Sequence, residues 1–361
     1  MNLDLLQQGL NRMKELFDNA ITTAQWRPAL NLNVNKPELI KICEEQELET
    51  EGTSEVLKNR IRNLSHEDYY NLRPTKTEKK GDENNGWGAM KKIILGSQHI
   101  EIIHEVVKLS IQEELENSIN YQIIPEITSL YYPRPSAGKE KKVPSLKEKD
   151  VDILVLFGEE EIQYQDEAKK VISIEHAEQS IVVGCRGQYS SLNKNLNTLF
   201  ERAGAESIFQ RMFQNNEDNM INSVMGDVYI LLCPEYAPID DSPQNACTPS
   251  WNSHNYVETY IRDYLKISNR PNPREERDYD WRNHVRYERV TLIVADFSAG
   301  RDVIFYRTLG EMHAGGIVTE EFYNANHEAY DQYLSPLYFA RDLVAAHRAR
   351  WPDLYADDGN Q

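Results

Sequence analysis

The sequence has few cysteines, no long apolar run and no basic leader. Its four cysteines, Cys43, Cys185, Cys233 and Cys247, stand far apart and form no Cys-x-x-Cys pair. That spacing argues against a zinc ribbon or a disulfide framework and predicts a reducing, cytoplasmic location. No apolar run reaches about 18 residues, so no membrane span is expected. The N-terminal segment lacks the basic start of a secretion signal.

Other familiar motifs are also missing. There is no Gly-x-x-x-x-Gly-Lys-Ser/Thr loop, so no nucleotide cofactor is expected, and there is neither a Gly-x-Ser-x-Gly elbow nor a His-Glu-x-x-His pair. The net charge of −18 argues against a protein that coats nucleic acid through a general basic surface. An enzyme that touches DNA through one local basic surface is compatible with that charge.

The hydrophobic pattern predicts an α/β protein. The 361 residues, 40% of them hydrophobic, suffice for two domains with a real core. Helices are predicted over 97–117, 190–213, 255–267 and 335–351. Strands are predicted over 121–132, 151–157, 171–175, 180–186 and 226–236, and two further strands joined at 298–300 are predicted within 285–308. This order favours a mixed sheet. The predicted segments are a helical module (1–72), a linker (73–96), an α/β domain (97–351) and a tail (352–361).

The segment "DVDILVLFGEEEIQYQDEAKK" (150–170) places carboxylates at the head of an apolar strand. If the chain turns near Glu159, Asp152 faces the returning strand near Glu167. Glu167 and Lys169 are two residues apart, so they point to the same face. Asp152, Glu167 and Lys169 would then converge. Two carboxylates suit Mg²⁺, and a neighbouring lysine suits the attacking water of phosphodiester hydrolysis.

This pattern resembles the PD-(D/E)xK nuclease superfamily, to which most type II restriction endonucleases belong. The resemblance covers about residues 97–213 and implies a restriction-endonuclease-like core whose first helix carries an inward acid, here Glu101 or Glu105. It implies a Mg²⁺-dependent endonuclease that acts on double-stranded DNA in restriction-modification or phage defence. Asp152 and Glu167 would then hold the metal.

A second register is open within the same resemblance. The stretch "SIVVGCRGQYSSL" (180–192) has the apolar run and the serine-started helix that surround the family's Glu-x-Lys. Gly184 and Arg186 stand in the motif positions. Arg186 stays charged, so it can clamp phosphate but cannot act as a general base. In this register Glu175, or Glu201 on the next helix, supplies the second acid.

Basic and polar residues near these strands are candidates for DNA contacts. The Pro-rich loop 133–149 carries a run of lysines, and a donor-rich segment leads into the helix that starts near residue 190. Cationic side chains and helix N-termini both suit phosphate. The candidates in these two segments are Lys139, Lys141, Lys142, Gln188 and Lys194.

Residues 32–64 resemble a SAP motif, a small helix–extended–helix DNA-binding module. The residues that carry the resemblance are Leu39, Cys43, Leu48, Gly52, Leu57, Arg60 and Ile61. The resemblance implies DNA binding, with Lys58 and Arg60 on the contact edge. Residues 226–351 are expected to complete the fold and to supply sequence reading or a homodimer face.

The alternative function is a non-catalytic DNA- or protein-binding component on a decayed nuclease fold. Gly184 in an expected acid position and the net charge of −18 favour this alternative. Cleavage of plasmid DNA that depends on Mg²⁺ would separate the two functions.

Overall fold

The structure is a computed structural model with a three-layer α/β core. It describes residues 1–22, 35–64, 98–115, 120–124, 128–132, 147–158, 164–166, 171–173, 179–189, 215–216, 219–220, 223–233, 235–237, 248–250, 254–268, 287–297 and 302–355. The predicted α/β class with a mixed sheet is confirmed within these ranges.

The α-helices of the described residues follow the apolar periodicity of the sequence. They are α1 (Leu3–Thr22), α2 (Lys36–Glu45), α3 (Ser54–Arg62), α4 (Gln98–Glu114), α5 (His254–Ile267), α6 (Leu309–Ala314), α7 (Glu320–Tyr333) and α8 (Phe339–Arg350). Short 3₁₀ turns at Pro336–Tyr338 and Pro352–Tyr355 flank α8. No helix in these ranges combines the length and apolar character that crossing a bilayer requires.

A six-stranded main sheet forms the centre of the molecule. Its strands, in spatial order, are β1 (Tyr121–Ile123), β4 (Ile153–Phe157), β7 (Ser180–Gln188), β10 (Val224–Leu232), β13 (Arg289–Asp296) and β14 (Ile304–Tyr306). β7, β10 and β13 run parallel to one another, whereas β1, β4 and β14 pair antiparallel with their neighbours. The apolar runs of β10 and β13 are buried along their whole length, as expected for central parallel strands.

A second sheet has four strands, which lie between β1 and β7 in the chain. It contains β3 (Lys147–Val151), β2 (Thr128–Tyr132), β6 (Val171–Ser173) and β5 (Tyr164–Asp166). Two-stranded ribbons are formed by β8 (Asn215–Asn216) with β9 (Asn219–Met220), and by β11 (Glu235–Ala237) with β12 (Thr248–Ser250). The single strand predicted over 121–132 is therefore two strands in two sheets. Pro125 lies between them and has no N–H for a ladder bond.

The helices cover both faces of the main sheet. Helices α1, α4 and α8 bury one apolar cluster against Ile181, Val183 and Val228, which point to the first face. Helices α5, α6 and α7 bury another against Tyr229 and the alternate residues of β10 and β13, on the second face. Period-two alternation along each strand thus separates the two cores.

Helix α1 belongs to the packing of the main sheet domain. Its buried residues lie in the same apolar cluster as those of α4, and the Asn2 backbone N–H donates to Ser110 Oγ at 3.0 Å. The Gln7 side chain donates to the carbonyl of Val303 at 2.8 Å. Helices α2 and α3 pack on each other around Leu39, Cys43, Leu57 and Ile61, and these four residues belong to the same apolar cluster as α1 and α4.

The predicted hairpin between the Asp152 strand and the strand leading to Glu167 is wrong. β4 pairs with β1 and β7, whereas β5, which leads toward Glu167, pairs with β6 in the second sheet. The reason is burial. Ile153, Leu154 and Val155 are buried, so β4 takes the apolar strand β7 as its neighbour rather than the polar segment "YQD".

Candidate functional site

Asp152 is the single residue between two strands of different sheets. β3 ends at Val151 in the second sheet, and β4 begins at Ile153 in the main sheet. The half-buried Asp152 carboxylate accepts a hydrogen bond of 2.7 Å from the backbone N–H of Cys185 through Oδ2. Among the described residues, none donates to Oδ1. The bond ties the head of β4 to β7 and leaves one carboxylate oxygen for another partner.

A buried ion pair lies one strand further into the sheet. Nη1 of Arg186 on β7 donates to both oxygens of Asp227 on β10, at 3.0 and 3.1 Å. The Arg186 side chain is 15% exposed and that of Asp227 is 0% exposed. An unpaired charge at this depth would be strongly destabilising, so the guanidinium is what makes a buried Asp227 carboxylate tolerable.

Gly184 provides the space that the Asp227 carboxylate occupies. Asp227 and Gly184 are direct partners in the parallel ladder between β10 and β7. A Cβ placed on Gly184 would lie 2.9 Å from Oδ1 of Asp227 and 3.5 Å from Nη2 of Arg186. The position that sequence reasoning treated as lacking an acid therefore has a carboxylate beside it, contributed by the neighbouring strand.

The electrostatics of the two aspartates are linked. Burial raises the pKa of Asp227, Arg186 opposes that rise, and the nearby Asp152 carboxylate adds to it. For Arg186, burial alone would lower the pKa, but Asp227, Tyr287 and Tyr264 outweigh burial and raise it. The three side chains therefore form one interacting group around the ladder of β4, β7 and β10.

Tyrosines cover the ion pair on the second face of the sheet. The rings of Tyr229 and Tyr264 have centroids 4.9 Å apart, and those of Tyr229 and Tyr260 are 5.6 Å apart. Burial raises the pKa of Tyr264, and the Asp227 carboxylate raises it further. The Tyr264 hydroxyl is buried and has no hydrogen-bond partner among the described residues. Helix α5 thus covers the ion pair with aromatic rings and places the buried Tyr264 hydroxyl among them.

Helix α4 approaches the site from the first face. The expectation of an inward acid on this helix is wrong, because Glu101 and Glu105 are exposed. His104 and Lys108, which are 4% and 7% exposed, are among the buried polar residues of this helix, together with His99 and Ser110. Burial lowers the pKa of His104, whereas the Asp152 carboxylate raises it. Nε2 of His104 has no hydrogen-bond partner within the described ranges.

Several predicted site residues lie outside the described residues, so their places in the fold stay predictions. They are Glu167, Lys169, Glu175, Glu201, Lys139, Lys141, Lys142 and Lys194. Gln188 is described and is 6% exposed at the end of β7, and its contact with DNA stays a prediction. Asp152 and Arg186 are the two predicted catalytic residues that the described structure brings to adjacent strands.

The α2–α3 pair gives Arg60 a structural role. Its guanidinium donates to the carbonyl of Glu49 at 3.0 Å, to the carbonyl of Glu51, and to Oε2 of Glu49 at 2.7 Å. These bonds hold the extended link between the helices, where Gly52 has φ +127°. Lys58 is half-buried and forms no ion pair within the described residues.

The sequence reasoning missed Asp227. A signal was present, because a single aspartate interrupts the apolar strand "VMGDVYILL", and buried carboxylates need a specific partner. No group of three or more His, Cys, Asp or Glu in a metal-binding arrangement occurs among the described residues. The oxygen donors of Asp152 and Asp227 are of the type that Mg²⁺ prefers, with water completing such sites.

Comparisons with known proteins yield no relative of this chain. No family model, no curated protein and no solved structure matches it. The strand order and the side chains around Asp152 are therefore the features that bear on function.

Proposed function

We propose that the protein is a Mg²⁺-dependent DNA endonuclease, of the restriction or phage-defence kind, on a restriction-endonuclease-like core. The observation that carries the proposal is the order of elements. Helix α4, β1, β4 and β7 occur in this order along the chain, with the strands of the second sheet between them, and the three strands are neighbours in one sheet. Asp152 stands at the head of β4, and residues 184–186 lie on the adjacent strand.

This strand order supports the second register over the first. Because β4 and β7 are paired, Asp152 stands next to the Gly184-x-Arg186 segment, and its carboxylate contacts Cys185 within that segment. Glu175 precedes β7 in the chain and stays a candidate for an additional acid. Glu167 and Lys169 stay candidates only if the segment after β5 returns to the head of β4.

The proposed chemistry divides between the cation and the chain. Bound Mg²⁺ would stabilise the charge that develops on the phosphate and lower the pKa of its bound water. Asp152 would hold the cation through Oδ1, which accepts no hydrogen bond from the described residues. Arg186 orients the scissile phosphate, because a guanidinium matches the geometry of two phosphate oxygens. The lysines of the 133–149 loop and Lys58 hold the DNA backbone.

One observation favours the alternative, a non-catalytic DNA- or protein-binding component. Both oxygens of Asp227 accept from Arg186, and the carboxylate is 0% exposed. A structural ion pair would look the same, and Gly184 leaves β7 without its own acid. The alternative predicts that Arg186 and Asp227 affect stability but no hydrolytic activity.

The test is cleavage of supercoiled plasmid and phage DNA, methylated and unmethylated, with MgCl₂ or with EDTA. We expect Mg²⁺-dependent nicking or linearisation by the wild-type chain, and a loss of at least about 100-fold in Asp152→Asn, the size of effect typical when one group that stabilises the transition state is removed. Glu328→Gln, which alters an exposed carboxylate on α7, is the matched control. The register is identified by three further variants, Glu167→Gln, Lys169→Ala and Glu175→Gln. Loss of cleavage in the first two supports the first register, and loss in the third supports the second. Wild-type cleavage that persists in EDTA, or that Asp152→Asn leaves intact, contradicts the proposal.

A further inference from the structure

We infer that Asp227 on β10 is the second metal-binding acid of this centre, in place of the acid that Gly184 does not provide. This inference rests on the proposed function and names a residue for the same site. It assigns Arg186 a second task, which is to neutralise Asp227 until a divalent cation and a phosphate arrive.

The geometry around Gly184 is the first support. An acid at position 184 would extend from β7 into the space where Oδ1 of Asp227 lies, because the Cβ itself would be 2.9 Å from that oxygen. The two residues are opposite each other in the β7–β10 ladder, and both point to the second face of the sheet. A carboxylate supplied by β10 therefore occupies the volume that a carboxylate on β7 would need.

The second support is the free-energy cost of burying the Asp227 carboxylate. Asp227 is 0% exposed in a strand whose other residues are also buried. Buried ion pairs are often no more stable than well-packed apolar residues of similar size. Apolar side chains at positions 186 and 227 would serve the fold at least as well, so a role in binding explains why charges are present there.

Two buried polar atoms beside the aspartates point to a ligand. Nε2 of His104, which is electrostatically linked to Asp152, and the hydroxyl of Tyr264, which is linked to Asp227, have no hydrogen-bond partner among the described residues. Mg²⁺ in proteins usually keeps several water ligands. Water on a cation held by Asp152 and Asp227 would exchange a hydrogen bond with the Tyr264 hydroxyl, because Tyr264 and Asp227 lie on the same face of the sheet.

The first measurement is cation binding, which needs no cleavage. Calorimetric titration of the full chain with MnCl₂ reports affinity. We expect Asp227→Asn to weaken Mn²⁺ binding at least about tenfold, which is about 1.4 kcal/mol, and to abolish Mg²⁺-dependent cleavage. Glu328→Gln should bind Mn²⁺ like the wild type. Circular dichroism and thermal unfolding check that each variant is folded.

The second measurement moves the acid from one strand to the other. In Gly184→Asp with Asp227→Gly, the carboxylate returns to β7 and the removed side chain vacates the space for it. Gly184→Ala with Asp227→Gly is the matched control, which has the same backbone changes without the carboxylate. We expect the relocated acid to recover Mn²⁺ affinity to within about tenfold of wild type, and the control to bind no better than Asp227→Asn.

The outcomes separate this inference from the proposed function. If Asp152→Asn loses cleavage while Asp227→Asn keeps both Mn²⁺ affinity and cleavage, the endonuclease proposal stands and the inference about Asp227 is wrong. If Gly184→Asp with Asp227→Gly binds Mn²⁺ no better than Gly184→Ala with Asp227→Gly, the inference is also wrong. This outcome holds even if Asp227→Asn does not fold. If the wild-type chain neither binds Mn²⁺ nor cleaves DNA, both fall.

Discussion

The carboxylate of Asp152 accepts a 2.7 Å hydrogen bond from the backbone N–H of Cys185, and this bond joins the head of β4 to β7. One side chain therefore has a structural contact through Oδ2 and an open oxygen, Oδ1. A loss of activity in an Asp152 variant would therefore follow from losing the hydrogen bond at Oδ2 or from losing the charge available at Oδ1. Substitutions that keep the acceptor and remove only the charge separate the two roles.

Asp152→Asn and Asp152→Ala should therefore differ in stability and agree in activity. Asparagine keeps a carbonyl oxygen for the Cys185 N–H, so we expect an unfolding free energy within about 1 kcal/mol of wild type. Alanine leaves a buried N–H unsatisfied and should cost about 1–3 kcal/mol. Urea denaturation gives the free energies, and plasmid cleavage should be lost in both. An active Asn variant would show that only the hydrogen bond matters.

The Arg186–Asp227 pair should show strong energetic coupling. Arg186→Met leaves a buried carboxylate without its cation, which typically costs about 3–5 kcal/mol. Arg186→Met with Asp227→Asn removes both charges, so we expect the double variant to be more stable than Arg186→Met alone. A double-mutant cycle by urea denaturation measures the coupling.

The exposed pair Lys41–Glu45 on α2 is the matched control for that cycle. Its side chains are 64% and 55% exposed, and Nζ of Lys41 lies 3.7 Å from Oε1 of Glu45. Exposed pairs typically contribute about 0–1 kcal/mol. Equal coupling in the two cycles would contradict the buried character of the Arg186–Asp227 pair.

Much of the fold follows from the sequence because its elements are regular. The helix predicted over 255–267 is observed as α5, His254–Ile267, since tyrosine and aliphatic residues recur on one face. The strand predicted from 226 is β10, which begins at Val224 and ends at Leu232. Long runs with one clear period specify their own structure, whatever their neighbours are.

Strand pairing and the composition of the site were less predictable, because both depend on contacts between distant residues. The turn after β4 suggested a local hairpin, yet the buried faces of β4 selected β7. Asp227 joins Arg186 only through the parallel ladder of β7 and β10. No local pattern in the sequence specifies that ladder, although a lone charge inside an apolar strand indicates that a partner exists.

His347 should make the protein less stable below neutral pH. Its ring stacks on Phe157 at 3.9 Å, and Nδ1 lies 2.8 Å from the hydroxyl of Tyr355. Burial lowers the pKa of His347 to about 4, the Gln179 backbone opposes this fall, and the Arg350 charge adds to it. In the unfolded chain the pKa returns to about 6.5, so the unfolded state binds the proton first as the pH falls.

The contribution of the neutral His347 ring to the free energy of unfolding is therefore complete above about pH 6.5 and is lost as the pH falls toward 4. At pH 5.5 we expect a loss of about 1.4 kcal/mol from this group alone. Urea denaturation measures the difference in the free energy of unfolding between pH 7.5 and pH 5.5. In His347→Asn this difference should be smaller by about 1.4 kcal/mol, and the part that other groups contribute should remain. An unchanged difference between the two pH values would exclude His347 as the cause.

The lysines of the 133–149 loop should set the salt dependence of DNA binding. Each phosphate contact adds about 0.9 to the slope of log affinity against log salt concentration. Replacing Lys139, Lys141 and Lys142 with Gln should flatten the slope by up to about 2.7 and leave sequence preference unchanged. Lys266→Gln, on α5 and paired with Asp263, is the control. A slope that stays constant in the triple variant would remove this loop as a DNA contact.

Lys58 and Arg60 on α3 should give opposite results, although both were predicted to contact DNA. Arg60 binds the backbone carbonyls of Glu49 and Glu51, so Arg60→Gln should loosen the link between α2 and α3. Hydrogen bonds to a charged group are typically worth about 1.5–3 kcal/mol, so protease cleavage between residues 46 and 53 should accelerate. Lys58→Gln should leave that cleavage rate unchanged, because Lys58 has no ion pair among the described residues.

DNA binding by the full-length variants then tests the SAP-like module itself. Lys58→Gln should weaken binding to duplex DNA and lower the salt slope by about 0.9, as expected for one lost phosphate contact. Lys41→Gln on α2 removes the same charge at a site where Glu45 lies 3.7 Å away and the lysine is 64% exposed, so it controls for net charge. Fluorescence anisotropy at several salt concentrations measures both quantities. If Lys58→Gln and Lys41→Gln shift affinity equally, the charge of the chain and not a contact edge on α3 is responsible. The module would then have no specific role in holding DNA, and the loop lysines would be the principal candidates for phosphate contacts.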